Sequence, residues 1–120
     1  MVRYSQIGNI ILAGDLNARI GNEQSSNGIK IPEINGFELG EENIVAERLS
    51  CDNTTNNYGK KLNNICATHN MVVANGRIPG DRIGNFTSHT NRGDSVVDYF
   101  ISDNDIFSRM EQLVVHEPLF

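Results

Sequence analysis

From residue 21 to residue 58 the chain shows no apolar periodicity and is rich in Asn, Ser, Glu and Gly. Any core must therefore be built by what flanks this stretch. A loop of that length in a compact domain signals a functional loop or a missing packing partner; one short helix is expected inside it, near residues 42–49. The apolar share of the 120 residues is 38%, enough for one domain's core. Ten basic and fifteen acidic side chains leave a net charge of −5. That balance argues against gripping nucleic acid by bulk charge but leaves room for local contacts with phosphates. No apolar run approaches the roughly 18 residues of a membrane span, and residues 1–6 lack the apolar stretch of a signal peptide. Two cysteines, Cys51 and Cys66, are too few for a disulfide scaffold. The expectation is an intracellular chain, cytoplasmic or nuclear, with reduced thiols and no membrane contact.

The flanks carry the structure. Asn9-Ile10-Ile11-Leu12-Ala13, closed by Gly14, reads as a short strand buried on both faces. Leu62, Ile65, Cys66 and His69 recur at helical spacing and predict a helix over residues 58–69, capped by Asn56 or Asn57 and ended by Asn70. Met71-Val72-Val73-Ala74 predicts a buried strand stopped by Asn75-Gly76, and residues 77–84 a turn-rich segment. Residues 85–88 and 95–101 predict two paired strands joined by a turn at Asn91-Arg92-Gly93-Asp94. Ser102 or Asp103 can cap a short helix through Met110, and Leu113-Val114-Val115-His116 reads as a last strand. Helices alternating with short strands make the fold class α/β.

Two polar positions stand out against this pattern. In an extended segment Asp15 and Asn17 point to the same side while Leu16 packs behind them. A carboxylate beside a carboxamide suits phosphate-ester hydrolysis: the acid can bind a divalent cation or take a proton from water, and the amide can bond a phosphoryl oxygen. The competing reading is a turn in which both residues satisfy backbone groups. Asp98 lies between Val96-Val97 and Tyr99-Phe100-Ile101, where an ionised carboxylate is costly unless compensated. A histidine or a metal ion could compensate it, and so could backbone amides at a sheet edge.

Together these segments resemble a known family. Ile10-Ile11-Leu12-Ala13-Gly14-Asp15-Leu16-Asn17-Ala18-Arg19-Ile20-Gly21 is similar to the Gly-Asp-(Phe/Leu)-Asn motif of the endonuclease/exonuclease/phosphatase superfamily. Asn85-Phe86-Thr87 followed by Ser95-Val96-Val97-Asp98-Tyr99-Phe100-Ile101 resembles its Ser-x-x-Asp-Tyr strand. Tyr58-Gly59-Lys60-Lys61-Leu62, Asn75-Gly76-Arg77 and Gly80-Asp81 point to the apurinic-type endonuclease domain of non-LTR retrotransposons. The resemblance implies part of a DNase I-like four-layer α/β sandwich with two mixed β-sheets, hydrolysing phosphodiesters with Mg²⁺ and with DNA as ancestral substrate. By analogy Asp15 positions or deprotonates the attacking water and touches the metal, and Asn17 steadies the phosphate. Asp98 orients a catalytic histidine, Ser95 donates to a phosphate, and Arg77 and Arg92 meet the nucleic-acid backbone. For the two arginines, a solvated loop with scattered charge is an equal reading.

The departures from the family pattern are specific. Its metal-binding Glu lies on a strand ahead of the Gly-Asp-Leu-Asn segment, and no such motif occurs in residues 1–13. Its histidine lies in a Ser-Asp-His string after the last strand, and no such string follows Val115 here, so His116 is read as a strand-end residue. The expectation is a single partial domain over residues 1–120, truncated at both ends and weakly active or inactive alone. Its partners would be the missing remainder or a reverse transcriptase of the parent polyprotein. A non-enzymatic remnant and a phosphatase of the same superfamily are the competing readings. Arg92-Gly93-Asp94-Ser95 also matches an integrin-binding string, for which an ordinary turn is the simpler account.

Overall fold

A computed structural model describes residues 8–23 and 47–116. Strand β1 spans Ile11–Asp15, helix α1 Asn57–His69, β2 Met71–Val73, β3 Ser88–Thr90, β4 Gly93–Ser95, β5 Asp98–Asp103 and helix α2 Asn104–Ser108. One sheet has the order β1-β5-β2 and β3-β4 form a separate hairpin, a mixed α/β arrangement. Among the described residues every pairing is antiparallel, where mixed sheets were expected. Among the described residues no helix is long and apolar enough to cross a membrane.

Side-chain alternation along β5 divides the core in two. Tyr99 and Ile101 turn to one face with Met71, Val73 and Cys66 of α1. Phe100 turns to the other, where Val72, Ala74, Ile78 and Phe107 of α2 pack together. The central strand is thus covered on both sides. β1 is not: among the described residues it has β5 on one flank only and is exposed along its length, with Ile11 at 50%. Among the described residues the strand expected to be buried on both faces stands at an edge, because burial follows from neighbours and not from the apolar run itself.

Helix α1 forms where its spacing predicts. The Asn56 side chain accepts from Gly59 N–H at 2.8 Å at the start, and Asn70 ends the helix in the left-handed region, φ 54°. Cys66 and Leu62 of the expected stripe meet the core, Gly59 faces inward with them, and Ile65 alone of the stripe is exposed. Gly59 sets that rotation, because a Cβ there would collide with the Arg19 carbonyl.

Three other expectations are corrected. The strand predicted over residues 95–101 is two strands, β4 and β5, separated at Val96, whose side chain drops into the core. The stretch 113–116 is irregular, tied down by a Leu113 N–H bond to the Pro79 carbonyl at 2.9 Å. Helix α2 is capped by Asp103, which accepts from Ile106 N–H, but stops at Ser108 rather than Met110. The helix expected near residues 42–49 lies mostly outside the described residues, and residues 47–49 are not helical.

Residues 47–56, read as the end of a long loop, are built into the molecule. Leu49 N–H bonds the Gly76 carbonyl, Cys51 N–H the Gly84 carbonyl and Asn56 N–H the Arg19 carbonyl, and Ile20 bridges Thr55. Cys51 is half-buried and Cys66 buried, and the two form no disulfide.

Candidate functional site

The register of β1 against β5 places Asp15 directly opposite Asp98. Main-chain bonds join Asp103 N–H to the Ile10 carbonyl and Leu16 N–H to the Val97 carbonyl, so the hydrogen-bonded pairs fall at even positions of β1. Asp15 and Asp98 are therefore a non-hydrogen-bonded pair, the kind in which side chains stand closest and leave the sheet on the same face. Like charges directly opposite each other in a ladder are unfavourable, and a bound cation relieves them.

The loop after β1 is not the extended segment that the spacing suggested. Asn17 has φ 49°, and its N–H donates to Asp15 Oδ1 at 2.8 Å, closing a turn over the acid. Leu16 does not pack behind the pair; it is 37% exposed. Asp15 thus takes, through Oδ1, the backbone-satisfying role of the competing reading. Ala18 and Ile20 bring the chain back into the core, where the Tyr99 hydroxyl lies 2.7 Å from the Ala18 and Val96 carbonyls and accepts from Ile20 N–H.

Asp98 is half-buried, and side chains hold its backbone. Thr87 Oγ1 accepts from Val97 N–H and Asp98 N–H at 3.0 and 3.1 Å. Asn75 Nδ2 donates to the Asp98 carbonyl at 3.0 Å, while its Oδ1 accepts from Phe100 N–H at 2.9 Å. Among the described residues no histidine pairs with Asp98; the one His–Asp pair is His89 with Asp94, cross-strand partners in the hairpin. His116 nevertheless lines the same cleft of about 370 Å³ as Asp98, Asn75, Thr87, Phe100 and Leu113.

The expected substrate-binding residues scatter. Arg77 is fully buried, so it reaches no substrate. Burial, then the nearby Arg48 charge, pulls its guanidinium down to about 10. It belongs to the turn after β2, where the core rather than solvent surrounds it. Ser95 is half-buried opposite Ser88, with its carbonyl accepting from Thr87 N–H at 2.9 Å. Arg92 is exposed at the hairpin turn, and the Asp94 carboxylate is engaged by His89.

Behind the site lies a polar network that the sequence did not single out. Asp52, 3% exposed, takes two bonds from Arg19 at 2.8 and 2.7 Å and accepts from Val96 and Thr54 N–H. Burial opposes its charged form, but Arg19 and the two amides outweigh burial and hold the carboxyl below its ordinary range. Asp81 is buried and accepts from Gly76 N–H and from the backbone and side chain of Asn85. Neither Asp52 nor Asp81 interrupts an apolar run, which is the signal that picked out Asp98.

Among the described residues no three His, Cys, Asp or Glu side chains come together as a metal centre. Mg²⁺ asks for less, since it keeps several waters and commonly takes one or two carboxylates plus substrate phosphate. The register sets two carboxylates, Asp15 and Asp98, opposite each other, the number that requirement names. No protein family, curated protein or solved structure matches the chain.

Proposed function

We propose that the chain carries part of a Mg²⁺-dependent phosphodiesterase site of the endonuclease/exonuclease/phosphatase type, within a larger four-layer sandwich, with nucleic acid as substrate. The observation that supports this reading is the Asp15–Asp98 register pair, two like charges placed where a shared cation relieves their repulsion. The sequence resemblance supplies the reaction class. Asp15 and Asp98 would hold the ion, which when bound supplies Lewis-acid polarisation of the phosphoryl oxygen. The Asn17 carboxamide, exposed on the turn beside Asp15, donates to the phosphate. Beside the ion, Asp15 would orient the attacking water. Among the described residues the pair has no third ligand, which makes a weak site, and low activity is expected of this chain.

Titration of the labelled protein with Mg²⁺, followed by NMR, tests the reading. Shifts are expected at Asp15, Asn17 and Asp98, absent in Asp15→Asn and Asp98→Asn. Nicking of supercoiled DNA by the pure chain should be slow, Mg²⁺-dependent and lost in both variants. No Mg²⁺-dependent shift at the pair leaves a non-enzymatic chain as the better account.

A further inference from the structure

We infer that Asn75 is a positioning residue for the Asp15–Asp98 pair, an inference that rests on the function proposed above. The main-chain ladder between β2 and β5 ends at the Ala74 N–H bond to the Phe100 carbonyl, 2.8 Å. The chain then turns away, with Arg77 N–H bonding the Ala74 carbonyl and Gly76 at φ 81°. Beyond that point, among the described residues, no strand pairs with β5 on its β2 flank, yet this is where it carries Asp98.

The Asn75 carboxamide takes the missing strand's place. Its Nδ2 donates to the Asp98 carbonyl and its Oδ1 accepts from Phe100 N–H, at 3.0 and 2.9 Å. A primary amide offers the same donor and acceptor as a peptide unit, so one side chain continues the ladder across the residue that bears the acid. Asn75 is 3% exposed, so water has little access to replace these bonds. On the other flank the Leu16 N–H bond to the Val97 carbonyl fixes β5 to the segment carrying Asp15. Asp98 is thereby held from both sides, and the separation of the two carboxylates depends on Asn75. A cation site a fraction of an ångström too loose loses affinity while the fold survives.

Two variants, read by NMR with and without Mg²⁺, test this. Opposed residues of a non-hydrogen-bonded pair bring their Hα atoms together, so wild type should show an Asp15–Asp98 Hα contact and slow exchange of the Phe100 amide. Asn75→Ala is expected to weaken that contact, speed Phe100 exchange at least tenfold and weaken Mg²⁺ binding roughly tenfold, leaving the Ile11–Ser102 contact unchanged. Asn75→Asp keeps the acceptor for Phe100 N–H but opposes an oxygen to the Asp98 carbonyl. It should keep Phe100 protection and still lose the Asp15–Asp98 contact, which decides the matter if the alanine variant does not fold. Retention of the contact and of Phe100 protection in Asn75→Ala, or of the contact in Asn75→Asp, would overturn the inference. Absence of Mg²⁺ shifts in wild type would instead defeat the proposed function, with the contact and exchange readouts still deciding what Asn75 does.

Discussion

Tyr99 shows how one side chain joins the candidate site to the core. It sits on β5 beside Asp98, 3% exposed, and its hydroxyl ties Ala18 and Ile20, just past the Asn17 turn, to the strand. Burial pushes this hydroxyl up to about 12 from an ordinary 10.0. The folded state therefore keeps a proton that the unfolded state releases between those values, so stability present below pH 10 is lost as pH rises towards 12. Tyr99→Phe should cost about 1–2 kcal/mol at neutral pH and remove this alkaline component, measured by urea unfolding at stepped pH. An unchanged alkaline slope in Tyr99→Phe would place the titrating group elsewhere. Asp98, one residue earlier, was legible because a carboxylate inside an apolar strand breaks the pattern. Asn75 was not, since an Asn before Gly reads as an ordinary turn and its role comes only from the strand it meets.

Helix α1 owes its start to a cap with two duties. Asn56 Oδ1 accepts from Gly59 N–H at 2.8 Å and from Arg19 N–H at 3.0 Å, while Asn56 N–H donates to the Arg19 carbonyl. The cap thus docks the helix on the segment that follows the Asn17 turn. Asn56→Ala should destabilise by about 2 kcal/mol, the upper end for a lost cap, because Arg19 N–H is orphaned as well. Asn56→Asp, which keeps the acceptor, should recover most of this in thermal melts. Equal losses in the two variants would show that the acceptor is not what matters. The helix was readable from its period and its Asn caps. Its rotation was not, because Gly59 lies against Arg19, a contact 40 residues apart in sequence.

Across the whole molecule, the segment at 48–50 is clamped against the turns that follow β2. A Cβ on Gly76 or on Gly84 would collide with the Leu49 carbonyl, and both glycines have positive φ, 81° and 67°. Arg48 beside it is buried, with Nη1 donating to the Gly21 carbonyl, and burial holds its guanidinium below the ordinary value. Gly76→Ala and Gly84→Ala should each cost about 2–4 kcal/mol, read from denaturant midpoints. Gly93→Ala meets no atom within 4 Å and should cost less despite its φ of 125°. Similar losses at all three positions would mean that φ alone, not the approach of residue 49, sets the cost.

Local chemistry in the chain was enough to establish that the fold mixes helices and strands, that α1 runs between two asparagine caps, and that Asp98 is a polar residue where apolar ones belong. Those features depend on neighbours within about one helical turn or one strand, which the sequence displays directly. Tertiary contact alone decided the rest: β1 at an edge, Arg77 buried and so lost to any substrate, Asp15 opposite Asp98, and a side-chain amide completing a sheet. Each of these turns on which distant segments lie side by side, and the free energy of burial and pairing resides in those encounters rather than in the residues taken singly.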